Sequence, residues 1–131
     1  MGMQLNWLAI VAAAVSAFLI GGIWYGPLFK HAWCREAGID MGASPRHPAK
    51  VFGTAFIAAL VAATAFAWWL GPAPELESAT RHGVLAGFGI AATSFAINYA
   101  FAGRSLKLWL IDGGYHTLQF ALYGLVLGAW H

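Results

Sequence analysis

Long apolar runs, each followed by a shorter polar stretch, make up most of the chain. A helix needs roughly 20 predominantly apolar residues to cross a hydrocarbon core of about 30 Å. Four runs reach that length, and they predict transmembrane helices at about residues 5–29, 51–70, 83–101 and 106–130. Backbone groups inside lipid must bond to one another, so runs of this length are expected to be helical. The predicted fold class is therefore all-α: a polytopic membrane protein whose compact four-transmembrane-helix bundle forms one domain over residues 1–131.

The composition supports a membrane protein. Hydrophobic residues make up 60% of the chain and charged residues only 9%, whereas a typical soluble domain is about 25% charged. A soluble protein this apolar could not cover its surface with charge, so the excess is expected to face lipid. The formal net charge of +2 is small, and no basic face indicates nucleic-acid binding. The lipid bilayer is the first predicted partner.

The positive charges predict the orientation of the bundle. Six of the seven Lys and Arg residues fall in the connector over residues 30–50 or around the start of the fourth helix: Lys30, Arg35, Arg46, Lys50, Arg104 and Lys107. Positively charged loops tend to stay on the cytoplasmic side of a membrane. We therefore expect a multi-pass protein with both termini on the non-cytoplasmic side.

The first part of that connector has a mixed character. Residues 30–38 combine Trp33 with the charged side chains of Lys30, Arg35 and Glu36. Such a mixture is typical of a short helix that lies on a membrane surface. We expect it to anchor the connector at the cytoplasmic interface, and docking of a partner protein is the alternative.

Small residues form one face of the predicted fourth helix. At about 100° per residue, this face holds Gly114, Ala121, Gly124 and Gly128. In lipid, small residues at such spacing let helix backbones approach each other closely. We expect this helix-packing or oligomer face to meet either another helix of the bundle or a second subunit.

Polar side chains on the opposite side of the fourth helix predict an intramembrane cluster. Asp112 stands about five residues inside the cytoplasmic end, and Asn98 stands at a similar depth on the third helix. Tyr115, His116 and Gln119 extend the cluster along the fourth helix. A carboxylate in the membrane costs at least about 2.5–3.5 kcal/mol, so ionisable residues there are functional candidates. Either Asp112 and His116 carry a proton, or Asp112 bonds to Asn98 and holds the two helices together.

No residue spacing indicates catalysis or metal binding. Asp112 and His116 alone do not form a catalytic triad, and no nucleophile–base pair is apparent. The His, Cys, Asp and Glu residues show no spacing that would assemble the three or four ligands of a zinc site. We expect no catalytic residue, no metal and no cofactor, and the sequence favours a protein that is not an enzyme.

Two blocks of the chain carry a resemblance to a known family. The first block contains Asn6 with Trp7 and the segments 22–29 and 33–38, and the second contains the segments 110–116 and 124–128. Together they resemble the bacterial membrane family catalogued as domain of unknown function 1761. The resemblance implies four helices in the bacterial inner membrane, but it implies no activity. Besides Asp112 and Tyr115, it marks four motif positions as candidate site residues: Asn6, Trp24, Tyr25 and Pro27.

Three functions are consistent with these features. The first is a homo-oligomeric transporter or channel for a small solute or for protons, with a pathway between subunits because small residues leave little volume inside one protomer. The second is an accessory or scaffold subunit of a larger membrane complex, without transport or catalysis of its own. The third is a membrane enzyme or lipid-binding protein with a headgroup near Trp24, Tyr25 and Arg104. The expected protein partner is a second copy or another membrane protein, and the sequence specifies no small-molecule ligand.

Overall fold

The computed structural model describes residues 5–40 and 48–131, and nearly all of this part is helical. The α-helices have these bounds: α1 Trp7–Ile23, α2 Lys30–Ala37, α3 Pro48–Leu70, α4 Leu76–Ala86, α5 Thr93–Ala102 and α6 Leu106–Ala129. Two π-helical segments complete the fold, since Trp24–Leu28 extends α1 and Gly87–Ala92 joins α4 to α5. The all-α class predicted from the sequence is confirmed.

Three helical segments of the described residues are long and apolar enough to cross a membrane: Trp7–Leu28, Pro48–Leu70 and Leu76–Ala102. They correspond to the first three predicted transmembrane helices and support a membrane protein. The predicted fourth helix is a single helix, α6, of 24 residues. It is long enough to span but is not one of these three segments, and it carries polar residues such as Asp112, His116 and Gln119 along its length.

The first apolar run ends in a π-helical turn because of a proline. Pro27 has no backbone N–H and cannot continue the α-helical ladder, and the chain around it is π-helical from Trp24 to Leu28. At Phe29 the backbone leaves the helical region, with φ −126°. The next helix, α2, then begins at once and covers most of the segment for which the sequence indicated a short helix.

The third predicted helix begins earlier than its apolar run. The structure starts α4 at Leu76, directly after the extended residue Glu75, whereas the apolar pattern places the start near residue 83. The first turns of α4 carry the charged residues Glu77 and Arg81. Because of these charges, the apolar pattern does not include the first turns of α4. A helix that emerges from a membrane into water can nevertheless carry charged residues there.

The helix α6 is the centre of the structure. It contacts each of the other helices in the described part of the chain. It runs antiparallel to α1: the indole N–H of Trp24 donates to the carbonyl oxygen of Ile111 at 2.9 Å near one end. Near the other end, Nδ2 of Asn6 donates to the carbonyl oxygen of Trp130 at 3.4 Å. The two helices therefore cover the same depth of the bundle.

Glycines bring α4 and α6 into backbone contact. A Cβ atom on Gly83 would lie 2.1 Å from the carbonyl oxygen of Phe120, and one on Gly124 would lie 2.2 Å from that of Ala79. Only residues without a Cβ fit these positions. The small-residue face predicted on the fourth helix thus packs inside the protomer, against the third predicted helix.

The other members of that face follow the same pattern, with one exception. A Cβ on Gly128 would lie 2.8 Å from the Cα of Leu76, and the Cα of Ala121 lies beside Gly83. Gly114 instead meets the indole ring of Trp24, 3.0 Å from where its Cβ would be. Of the two readings left open by the sequence, the structure places these residues on contacts within one chain.

Candidate functional site

Three donors converge on the carboxylate of Asp112. The hydroxyl of Tyr25 donates to Oδ1 at 2.6 Å, and the indole N–H of Trp33 donates to the same oxygen at 3.0 Å. The hydroxyl of Tyr99 donates to Oδ2. Asp112 itself is only 7% exposed. We call these four residues the Asp112 cluster; its donor set suits a carboxylate, which accepts at both oxygens.

The Asp112 cluster joins four segments that are distant in the chain. Tyr25 lies on the π-helical turn that Pro27 imposes, and this turn directs the chain into α2. Trp33 on α2 therefore lies over the N-terminal end of α6, and Tyr99 on α5 contacts the same carboxylate. Each donor comes from a different segment, so one buried carboxylate links all of them.

The helix α2 is further attached to the start of α6. The hydroxyl of Ser105 donates to Oε1 of Glu36 at 2.6 Å while it accepts the N–H of Leu108 at 3.1 Å as the N-cap of α6. The bond from Ser105 is the main reason why the pKa of Glu36 is lowered from its ordinary value. On the same helix, Cys34 is buried, with 6% exposure. The segment expected to anchor the connector at the membrane interface therefore also packs on the bundle.

The structure separates two pairs that the sequence placed together. Asn98 is exposed on α5, and it is the neighbouring Tyr99 that reaches Asp112. Among the described residues, His116 forms no hydrogen bond with Asp112. It bonds to Gln119 instead, and its ring stacks on Phe95. The predicted cluster thus divides into the Asp112 cluster and a second group deeper in the bundle.

That second group is a chain of hydrogen bonds along α6. Nδ1 of His116 lies 2.6 Å from Oε1 of Gln119, whose Nε2 donates to the hydroxyl of Tyr123 at 2.7 Å. The hydroxyl of Tyr123 donates in turn to the carbonyl oxygen of Ala59 on α3 at 2.9 Å. Gln119 and Tyr123 are buried, while His116 is half-buried. We call His116, Gln119 and Tyr123 the polar chain.

Two further candidate residues, Tyr115 and Asn6, contact α1, and Tyr115 also lies between the two groups. The ring of Tyr115 packs edge-on against Tyr25 and against His116, at centroid distances of 5.4 Å and 5.0 Å. Its hydroxyl donates to the carbonyl oxygen of Ala17 on α1 at 3.0 Å. At the opposite end of α1, the side chain of Asn6 accepts the N–H of Ala9 and caps the helix. Tyr115 and Asn6 therefore both fix the position of α1.

The polar chain borders a cleft of about 810 Å³ between α1, α3, α5 and α6. Small and aromatic side chains form most of its walls. Half of the lining residues are glycine, alanine or phenylalanine residues of α1, α3 and α5. These are Phe18, Gly21 and Gly22 of α1; Phe52, Ala55, Ala58, Ala59 and Ala62 of α3; and Phe95 of α5. His116 and Gln119 contribute polar atoms to the wall, and Lys30 lies at the end next to α2. We call this space the lateral cleft.

The lateral cleft exists because α3 meets the third helical segment only near one end. There the rings of Trp69 on α3 and His82 on α4 are in edge contact, with centroids 5.7 Å apart. Toward the other end, α3 packs on α1 through Phe18 with Phe52 and Phe56. The space between α3 and α5 is left open, although the small residues of the sequence predicted little volume within one protomer.

Candidate metal ligands do not gather in the part of the chain that the structure describes. No three His, Cys, Asp or Glu side chains of residues 5–40 and 48–131 lie close enough together to hold a metal ion. Arg35 forms an ion pair with Glu36, and Arg81 forms one with Glu77 on an exposed surface. The candidate ligand site is the lateral cleft, whose wall contains the polar side chains of His116 and Gln119.

Comparison with known proteins supports the resemblance seen in the two sequence blocks. The model of the family described as Protein of unknown function (DUF1761) matches residues 8–128. This match covers nearly the whole chain and includes the Asp112 cluster, the polar chain and the lateral cleft. No curated protein and no solved structure gives a significant match.

Proposed function

Since the chain belongs to the DUF1761 family, whose description assigns no activity, we propose a function from the geometry of its site. The protein is a four-span protein of the bacterial inner membrane that binds a small, largely apolar solute in the lateral cleft, as a transporter does. The observation that carries this proposal is a cleft of about 810 Å³ with a polar chain in its wall.

The position of α6 supports a fourth span. It lies antiparallel to α1 over the same depth, and its 24 residues extend about 36 Å at 1.5 Å per residue, more than a hydrocarbon core of about 30 Å. Its polar residues do not argue against crossing, because Asp112, Gln119 and Tyr123 are buried among other helices. A helix that is covered by protein needs less apolar surface than one that faces lipid.

The size and chemistry of the cleft support a small amphipathic occupant. Small-molecule sites usually measure about 300–1,000 Å³ and combine apolar walls with a few well-placed polar groups. The lateral cleft has both features. A single protomer supplies it, so the homo-oligomer expected for a pathway between subunits is not needed for binding.

The Asp112 cluster supports a structural role for the carboxylate in this proposal. Its oxygens already accept bonds from Tyr25, Trp33 and Tyr99, and Asp112 is not part of the cleft lining. A proton carrier would need a path between Asp112 and His116, but the described contacts of His116 lead to Gln119 instead. We assign Asp112 to helix assembly and His116 to the site.

The packing of α6 weakens the scaffold alternative. A docking subunit was expected to use the small-residue face of the fourth helix, and Gly124 and Gly128 of that face are covered by α4. A partner helix would then have to dock on another surface of the bundle. The cleft wall, where the buried side chain of Gln119 and the half-buried side chain of His116 offer hydrogen-bonding groups, favours a small molecule.

Native mass spectrometry of the detergent-purified full chain tests the proposal. Ala58 lines the cleft, and Ala58→Phe should fill it; Ala65 is exposed on the same helix outside the cleft, so Ala65→Phe is the matched control. We expect a discrete low-mass adduct on the wild type and on Ala65→Phe, but not on Ala58→Phe. An adduct that Ala58→Phe retains, or a wild type without any adduct, would contradict cleft binding.

A further inference from the structure

The directions of the hydrogen bonds in the polar chain fix the tautomer of His116. The carbonyl oxygen of Ala59 can only accept, so the O–H of Tyr123 donates to it. The hydroxyl oxygen of Tyr123 is then free to accept from Nε2 of Gln119. This orients Oε1 of Gln119 toward Nδ1 of His116, and an amide oxygen can only accept. Nδ1 of His116 therefore carries the hydrogen.

A neutral histidine with hydrogen on Nδ1 has a lone pair on Nε2. His116 lines the lateral cleft, with its ring stacked on Phe95 at a centroid distance of 4.8 Å and an interplanar angle of 14°. Among the described residues, none donates to Nε2. Nε2 is accessible, because no side-chain nitrogen or oxygen of the described residues is both buried and without a hydrogen-bond partner. A ligand in the lateral cleft that supplies a donor can therefore bond to it.

We propose that the solute of the lateral cleft is a neutral hydroxyl compound, an alcohol or phenol with an apolar body, whose O–H donates to Nε2 of His116. This inference rests on the proposed function and names the class of its ligand. The stacked pair of His116 and Phe95 and the rings of Phe18 and Phe52 give the walls an aromatic character. Flat apolar bodies suit such walls, because offset and edge contacts between rings are favourable.

Other donors fit the cleft less well. A primary amine or a carboxylic acid is charged at neutral pH, and a charge is costly in an apolar site unless it is paired. The carboxylate would also have lost the hydrogen that Nε2 needs. An amide supplies an N–H but brings a carbonyl oxygen that would need a donor of its own. A hydroxyl provides the donor with the smallest cost of placing other polar or charged atoms in the apolar cleft.

Binding of 1-naphthol and of its methyl ether, 1-methoxynaphthalene, to the detergent-purified full chain tests the inference. Tritiated 1-naphthol is bound to protein on scintillation beads and displaced by either unlabelled compound, with Ala58→Phe defining the background. Methylation adds apolar surface, which alone would strengthen binding by about fourfold. Loss of the donor to His116 should instead make the ether at least about tenfold weaker than the phenol.

Replacement of His116, which supplies the acceptor, tests the same hydrogen bond from the protein side. His116→Phe keeps an aromatic ring on Phe95 but removes Nε2, so the phenol should lose its advantage over the ether. His82→Phe changes a histidine on α4 that does not line the lateral cleft, and it should keep the wild-type preference. Retention of the preference in His116→Phe would overturn the role of His116.

The outcomes separate this inference from the proposed function. If the ether binds the wild type as well as the phenol does, and Ala58→Phe removes both, the hydroxyl class is wrong and the cleft still binds solute. If 1-naphthol shows no cleft-dependent binding while the wild type keeps an adduct that Ala58→Phe removes, the hydroxyl class is again wrong. If neither the probe nor the adduct depends on Ala58, cleft binding fails as well.

Discussion

Asp112 accepts hydrogen bonds from Tyr25, Trp33 and Tyr99, and these three donors have no other described hydrogen-bond partner. A buried group that loses its hydrogen-bond partner costs about 1–3 kcal/mol. We predict that Asp112→Ala lowers the free energy of unfolding by at least about 3 kcal/mol, measured by denaturant titration in detergent micelles. Asp112→Asn should cost less, because its amide keeps one acceptor oxygen.

The control for this prediction is an exposed acidic residue on α4. The side chain of Glu77 is 82% exposed, and its nearest cation, on Arg81, is 4.0 Å away. Glu77→Ala should therefore change the free energy of unfolding by no more than about 0.5 kcal/mol. Equal effects of Asp112→Ala and Glu77→Ala would mean that the Asp112 cluster does not hold the helices together.

Sequence periodicity identified Asp112 as a candidate residue but not its partners. Asn98 and Tyr99 are neighbours at the same depth of α5, and their side chains point about 100° apart. Which of them faces α6 depends on the rotation of the third helical segment. That rotation is set by the contacts of Gly83 and Gly87 with α6, which follow from the packed structure and not from the pattern along one helix.

At the scale of elements, the packing of α2 on the bundle depends on the carboxylate of Glu36, which lies outside the membrane-spanning segments. The bond from Ser105 lowers the pKa of Glu36 below its ordinary value of 4.5. A carboxylate with a lowered pKa in the folded protein stabilises it above the ordinary pKa, and this contribution is lost as the pH falls through the folded pKa. The packing of α2 on the bundle should therefore weaken in acid.

Cys34 reports on that packing because it is buried on α2 and is the single cysteine of the chain. We predict that Glu36→Gln raises the rate of maleimide labelling of Cys34 at neutral pH. The difference from the wild type should disappear as the pH falls through the lowered pKa of Glu36, where its carboxylate becomes protonated. The exposed His31 on α2 provides the control variant His31→Gln; a Glu36→Gln rate no higher than that of the control would rule out this attachment.

The contact between α4 and α6 gives a second prediction at this scale. A methyl group on Gly124 would lie 2.2 Å from a backbone oxygen, so the two helices would have to separate. We predict that Gly124→Ala lowers the free energy of unfolding by at least about 2 kcal/mol. Gly53→Ala on α3 meets nothing within 4 Å and should be neutral or slightly stabilising, because alanine favours helix. A neutral Gly124→Ala would contradict the close helix contact.

Apolar runs predicted which parts of the chain are helical. They did not predict the effects of proline and of charged residues on where the helices begin and end. The turn around Pro27 is π-helical, and the first turns of α4 carry charge. Small-residue spacing predicted a packing face on α6, but it left open whether that face meets the same chain. The answer depends on tertiary contact, which spacing along one helix does not contain.

At the scale of the whole molecule, α6 should cross the membrane together with the three more apolar segments. On a Cys34→Ala background, Lys107→Cys and His131→Cys place single thiols near the two ends of α6. A membrane-impermeant maleimide applied to intact cells should label His131→Cys, and it should label Lys107→Cys only after permeabilisation. Labelling of both from the same side would contradict a fourth span.

The lateral cleft could not be predicted from residue types. Alanines at similar spacing line buried contacts on α1, such as Ala13 and Ala17, and open space on α3, such as Ala55 and Ala58. The difference arises because α3 and α5 diverge while α1 and α6 remain in contact. Only the arrangement of the helices shows which small residues leave a space.

The most direct measurement of solute binding is photocrosslinking from inside the cleft in intact cells. Phe52 lines the lateral cleft, whereas Phe88 on the third helical segment does not, and both are 55% exposed. A photoreactive benzoylphenylalanine in place of each aromatic ring reports its surroundings by mass spectrometry. We predict a discrete low-mass adduct at position 52 and only bulk lipid adducts at position 88. The same lipid adducts at both positions, or a crosslinked protein at position 52, would contradict a solute-binding cleft.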